Sequence, residues 1–371
     1  SKTKLKHTYS ESKLKKMKNY IYGAGHYSSI ITKELLMKGL EFDLIIDKYT
    51  EKTELHGLPI VNSAEGLDVN AKVWLIISSF HTGGVIEELR KIGFSNFIPL
   101  GGALKEAEDC IPKITENMIW YRSNQPFVID EDKLNNTIRL LSNQESVDTL
   151  KNIVSFRKNP AVDTYVNGDT DTHYFSKNVP WSNTVDSFDF VDCGAFTGDT
   201  LTSLVEVAQI YNKKISSVTL FEPEASNRAK LLKVVSQQQK FKSYVYPCGV
   251  WSKSTFLSFS NSGSSSHIAS NGEGEGGHKI MCVDIDSALI GAKPNWIKMD
   301  IEGSEIEAIL GARDVIMKYS PVLTIAIYHK PYDLWDIPLL INEINPDYDM
   351  YIRAHGDFTT EVVLYCIPKN G

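Results

Sequence analysis

Along most of this chain short apolar runs alternate with stretches of helical periodicity, the rhythm of an α/β protein. The clearest instance begins at Phe188, where Phe188, Phe190 and Val191 make a short buried strand that ends in Asp192. A turn punctuated by Gly194 and Gly198 follows, and then a helix over Leu201–Ile210 that Asp199 or Thr200 is placed to cap. Downstream the pattern predicts strands at Ser217–Phe221 and Ser243–Pro247, then one from Trp296 that ends at Asp300. Helix Ser304–Arg313, strand Val322–Tyr328, helix Asp333–Ile344 and strands Tyr348–Arg353 and Glu361–Ile367 complete this half.

Upstream a second, separate run opens with strand Tyr20–Tyr22, a glycine turn and a helix to about Lys38. Strands Phe42–Ile46, Gly57–Val61, Val73–Ser78 and Asn96–Leu100 follow, with a loop at Ser79–Gly84 and a helix at Val85–Ile92. Between the two runs the periodicity weakens into helices at Ile114–Trp120, Asp130–Leu141 and Ser146–Phe156. The expected organisation is a disordered basic tail (1–18), a Rossmann-like parallel sheet (19–105), a helical linker (106–145) and a second α/β domain (146–371). Asn261–Gly277, rich in serine and glycine, reads as a mobile surface loop, or as a lid that brings His267 to a substrate.

A net charge of −7 argues against nucleic acid as a partner, because phosphate binding calls for a basic surface. Cys110, Cys193, Cys248, Cys282 and Cys366 form no Cys-x-x-Cys pair, a reduced, cytoplasmic pattern without a zinc knuckle. No apolar span of membrane length is present, so neither a secretion signal nor integral membrane association is expected. A homodimer is the default assembly.

The candidate chemistry lies at the strand ends, where open parallel sheets collect their ligands. The four-residue spacing of Gly194 and Gly198, with an acid before them, departs from the dinucleotide fingerprint and favours a cationic, phosphate-free ligand. Glu222, closing the next strand, is placed to accept both hydroxyls of a ribose. Asp300, Glu302 and His329 fall at the ends of adjacent strands and are candidates for proton transfer. Each has a plainer reading: Asp300 as a partner for a ligand's amino group, Glu302 as a helix-dipole acid, His329 as a hydrogen-bonded wall residue. The same trio mixes oxygen and imidazole donors, but no spacing compels a metal and none is expected. In the first run Gly23, Gly25 and Asp47 stand where a nucleotide would bind, although Ser28 replaces the third glycine of the fingerprint.

Two segments carry a family resemblance. Val191–Thr200 matches the pattern Val-Asp-x-Gly-Ala-x-x-Gly-Asp-Thr, and Lys298–Glu305 matches Lys-x-Asp-x-Glu-Gly-x-Glu; both resemble the FkbM-type methyltransferases. The resemblance extends over roughly Ser146 to Ile367 and takes in His173-Tyr-Phe175 and Tyr328–Trp335. It implies a seven-stranded class I methyltransferase sheet closed by a reversed hairpin, with S-adenosylmethionine as cofactor. The implied cofactor residues are Asp192, Gly194, Ala195, Phe196, Thr197, Gly198, Asp199 and Thr200, with Phe221 and Glu222 at the ribose and Gly249 and Val250 near the adenine. The implied activity is O-methylation of a sugar or glycan building block, such as a bacterial surface polysaccharide precursor. The first domain is similar to the nucleotide-sugar-holding domain of PglD-type acyltransferases. Two other classes stay open: a scaffold that keeps cofactor without turnover, and a nucleotide-sugar dehydrogenase or epimerase, the latter lacking a Tyr-x-x-x-Lys pair after the first domain.

Overall fold

The computed structural model describes residues 16–121, 126–166, 168–169, 171–260, 267–268 and 278–369. Most of the expected tail, and all of the serine- and glycine-rich tract except His267–Ile268, lie outside the described residues. The chain divides into two compact units, one running to Ile77 and including His81–Cys110, the other comprising Ser78–Phe80 and the chain from Ile111.

In the first unit, strands β1 (Asn19–Tyr22), β2 (Leu44–Ile46), β3 (Glu54–Leu55), β4 (Leu58–Val61), β5 (Lys72–Leu75) and β6 (Asn96–Ile98) form one sheet in the order β3-β4-β2-β1-β5-β6. All its pairings are parallel except β3 with β4. Tyr20, Ile46, Val73, Leu75 and Phe94 make its core. One helix differs from expectation: Ser79–Ile92 is helical from its first residue, with no loop at Ser79–Gly84. Gly83 and Gly84 each cost a helix interior about 1 kcal/mol, but Val85, Ile86 and Leu89 pack into the core and hold the helix through them.

The second unit is built on strands β7 (Ser187–Cys193), β8 (Lys214–Phe221), β9 (Lys242–Tyr246), β14 (Trp296–Met299), β15 (Val322–Ala326), β16 (Tyr348–Ala354) and β17 (Val362–Pro368). Their order is β16-β17-β15-β14-β7-β8-β9, and β17 runs antiparallel to both neighbours, so the reversed hairpin closes the sheet. The interior strands are apolar on both faces: Phe188 and Phe190 of β7 meet Trp296, Phe175 and Trp181, while Val191, Ile297, Leu323 and Ile325 face the other layer. The helices Glu131–Leu140 and Gln144–Lys158, capped by Asp130 and Asn143, contribute Leu134, Leu150 and Ile153 to this core.

Between β9 and β14 the chain makes a small sheet that sequence periodicity did not announce. Strands β10 (Gly249–Val250), β11 (Thr255–Ser260), β12 (His267–Ile268) and β13 (His278–Val283) pair in the order β10-β13-β11-β12. The segment expected as one helix over Ser304–Arg313 is two, Glu305–Leu310 and Arg313–Tyr319, because Gly311 packs against the Trp251 carbonyl with no room for a side chain.

Candidate functional site

The carboxyl ends of β7, β8 and β14 bring the two sequence segments together. Parallel pairing sets Cys193 beside Met299 on one side and Phe221 on the other. Gly194 then turns with φ +88°, and a Cβ there would lie 2.0 Å from the carbonyl oxygen of Asp300. Glycine is therefore required twice over, by conformation and by contact. Gly198, at φ +94°, packs on Leu231 and Val234 and is itself the N-cap of the helix Asp199–Ile210. That corrects the expectation of an Asp199 or Thr200 cap: the left-handed turn places those residues inside the first helical turn, and no side chain caps it. Ala195 is buried, and Phe196, in the left-handed region, leaves its ring partly exposed at the loop.

Glu222 follows β8 directly and is nearly buried. One of its carboxylate oxygens accepts the Phe196 amide at 2.9 Å and the other accepts the Glu224 amide at 2.8 Å, so it braces the glycine loop. Burial raises its pKa against the lowering effect of these amides. Phe221 stacks on Tyr246 with ring centroids 5.0 Å apart. Gly249 and Val250 are buried on β10, and the Val250 main chain is in register with Val283.

Asp192 is fully buried. It stands in register with Lys298 on the neighbouring strand, and Lys298 Nζ lies 2.9 Å from its Oδ1. Both side chains are buried, and the same ammonium donates to the Gly194 carbonyl at 2.8 Å. Burial pushes Asp192 up to about 6 although Lys298 draws it down. Lys298 also lies 5.0 Å from the centroid of the Tyr174 ring.

The acceptor-side candidates assemble around His329. Its Nε2 is 3.3 Å from Asp300 Oδ1 and 3.5 Å from Glu302 Oε2, while Nδ1 is 2.9 Å from Glu305 Oε1. Burial by itself would lower His329, but Glu305, Asp300 and Glu302 together raise it to about 10. Burial pushes Asp300 upward, yet His329, Lys298 and Tyr174 outweigh it and hold its carboxyl below the ordinary value. Glu302 is raised to about 7 by burial, with Asp300 and Glu305 adding to it against the pull of His329. It also sits at φ +56° immediately before Gly303 at φ +97°, a strained turn of the kind that collects at functional sites.

Sequence reasoning assigned no role to Tyr174, Lys298 or Glu305. Tyr174 donates to Asp300 Oδ2 at 2.5 Å across a separation of 126 residues. Glu305 accepts the Ile301 amide at 2.9 Å and holds the loop between β14 and the following helix. The last acid of the second segment was the available signal for Glu305.

In the first unit Gly23, at φ +111°, has no room for a side chain against the Ile76 carbonyl, whereas Gly25 faces open space. Asp47 accepts the amides of Ala24, Tyr49 and Thr50, so its carboxylate organises the local turns. A cavity of about 480 Å³ in the second unit, lined by Asp189, Thr219, Tyr244 and Ile290, includes none of the predicted site residues. Among the described residues no helix is long and apolar enough to cross a membrane.

Residues 192–358 match the profile of the methyltransferase FkbM domain. A crystal structure of methyltransferase FkbM from Methylobacillus flagellatus KT is 22% identical with a TM-score of 0.54, covering 94% of this chain and 90% of that one. At that identity the likeness shows the fold alone. An rRNA methylase from Streptococcus thermophilus is 13% identical over 51% of this chain and 92% of its own, with a TM-score of 0.32. No curated protein matches the chain. With the matched segment spanning the glycine loop, the strand-end acids and His329, the second unit carries an FkbM-type, S-adenosylmethionine-dependent methyltransferase domain.

Proposed function

We propose that the protein transfers a methyl group from S-adenosylmethionine to a hydroxyl of a sugar or glycan building block. The observation that carries this reading is the convergence of the glycine loop and the cluster Asp300, Glu302 and His329 at neighbouring strand ends. The donor set fits the cofactor. Glu222, beside the loop, has lone pairs left for a ribose diol after accepting two amides. The strand-end acids suit a ligand bearing an ammonium and a sulfonium, and the buried cation Lys298 is already engaged by Asp192. Ala195, Phe196, Thr197, Asp199 and Thr200 supply the rest of the loop, with Phe221, Gly249 and Val250 toward the adenine. Asp192 then acts from behind, through Lys298 and the Gly194 carbonyl.

When bound, the cofactor supplies an electrophilic methyl, and the sulfonium charge vanishes on transfer. The protein's task is mainly orientation. An acceptor hydroxyl must also lose its proton. Glu302 is the base this reading assigns, because its carboxylate is the more accessible of the two near His329 Nε2, at 28% against 20% for Asp300. Asp300, fixed by Tyr174 and facing His329, belongs to the acceptor side. His329 holds the two carboxylates in place.

The sugar acceptor rests on the resemblance noted from the sequence, and the first unit's glycine turn is the natural place for a nucleotide handle. With Asp47 already engaged by three amides, we assign that unit first to self-association as a homodimer. Incubation with labelled methyl donor and a panel of nucleotide-sugars and oligosaccharides tests the activity. Transfer to a hydroxyl of one of them is expected. Cofactor binding without transfer to any acceptor class would favour the scaffold reading instead.

A further inference from the structure

Around His329 three carboxylates, Asp300, Glu302 and Glu305, converge on a single imidazole. Asp300, Glu305 and His329 each offer one donor atom, and the three lie within 4.8 Å of one another. Glu302 stands 3.5 Å from His329 Nε2 as a fourth. Such a gathering of acids means little without a second observation. His329 supplies it: the residue is 2% exposed, and although Nδ1 lies 2.9 Å from Glu305 Oε1 as an ion pair, neither ring nitrogen meets an oxygen of the described residues along a hydrogen-bond direction. Glu305, 1% exposed, likewise has an Oε2 without a hydrogen-bond partner there. Lys298, the buried cation nearby, is committed to Asp192 and the Gly194 carbonyl.

We infer that Asp300, Glu305 and His329 form a binding site for a first-row divalent transition metal, with Glu302 at its rim. Imidazole together with carboxylate oxygen favours manganese, iron, cobalt or zinc over magnesium and calcium. Donors about 2.1 Å from such an ion stand at most about 4.2 Å apart, so the outermost pair, within 4.8 Å, closes by at most about 0.6 Å. A fixed divalent charge beside Glu302 would also hold an acceptor oxygen and lower its pKa. That last consequence rests on the methyl-transfer reading; the metal site does not.

The test uses the full chain freed of metal by chelator and titrated with Mn²⁺ and Co²⁺ in the absence of methyl donor. One Mn²⁺ per chain is expected, with ¹⁴N coupling from a directly bound imidazole in pulsed electron paramagnetic resonance. Co²⁺ should give d–d absorption bands of a site with mixed nitrogen and oxygen ligands. His329→Asn should abolish the nitrogen coupling and weaken Mn²⁺ at least about 100-fold, and Asp300→Asn should weaken it at least about 10-fold, the scale reached by even outer-shell changes at metal sites. Glu65→Gln, an exposed acid of the first unit, should change nothing. The nitrogen signal is read on the unmutated protein, so a variant that fails to fold leaves the proposal testable. Absence of stoichiometric binding, or binding without nitrogen coupling and with equal affinity in His329→Asn, would overturn it. Because no turnover is read, failure here leaves the methyl-transfer reading standing, and an inactive enzyme leaves this result unaffected.

Discussion

Replacing Lys298 by Met tests whether the buried Asp192–Lys298 pair holds the glycine loop. At a separation of 2.9 Å the attraction is about 6 kcal/mol for an effective dielectric constant near 20. Desolvating both ions offsets most of that, so the pair contributes little net stability while intact. Removing one partner leaves the other charged, buried and alone, which costs about 3–5 kcal/mol. The sign of the pH dependence follows from Asp192. Its folded pKa, pushed to about 6 from 3.8, means that folding penalises its charged form; the penalty is absent below the unfolded value and complete above the folded one. Without Lys298 the principal lowering influence is gone and the folded value rises further. Urea unfolding followed by tryptophan fluorescence, to which Trp181 and Trp296 of this core contribute, should show the full loss at pH 8 and a much smaller one at pH 5. Adding Asp192→Asn should recover most of the loss at pH 8. A loss below about 1 kcal/mol at pH 8, the scale of an exposed pair, or an equal loss at both pH values, would refute the reasoning.

Glu222→Gln puts an amide nitrogen against one of the two backbone N–H groups that Glu222 now accepts; S-adenosylmethionine affinity measured by calorimetry should fall about 10-fold or more, as expected when a charged hydrogen bond is lost. Glu302→Gln should lower kcat about 100-fold or more with cofactor affinity unchanged, in single-turnover assays with the identified acceptor. Tyr174→Phe removes a hydrogen bond to the charged Asp300 while keeping the ring under Lys298, so acceptor turnover should fall and thermal stability should drop by about 1.5–3 kcal/mol. Light scattering on a fragment beginning near Glu106 should show loss of the dimer; unchanged mass and full activity would remove any role for the first unit in assembly.

Much of the second unit was legible because its two motifs fall at strand ends, where an acid or a glycine follows an apolar run. Asp192, Glu222 and Asp300 announce themselves this way, while the antiparallel hairpin whose strands flank His355 was implied by the family resemblance. What was not legible depends on neighbours distant in the chain. Nothing near Asp192 says that its carboxylate pairs with Lys298; that follows from strand register. Tyr174 reaches Asp300 only because the fold brings the segment before β7 over the end of β14. The small sheet β10–β13 escaped because its two longer strands flank a serine- and glycine-rich tract that dominates the composition there. Helix starts at Ser79 and Asp199 were missed for the same kind of reason: tertiary packing and a left-handed glycine overrode local propensity.

The near-contact between Gly194 and the Asp300 carbonyl has a consequence for how this site can change. The glycine loop and the turn after Asp300 belong to different motifs, about a hundred residues apart in the sequence, yet neither backbone can shift without displacing the other. Mutational drift at positions 194 and 300–301 is therefore a joint walk. Grafting an acceptor-side loop from a relative onto this chain, in pursuit of a new substrate, requires transplanting the glycine turn with it.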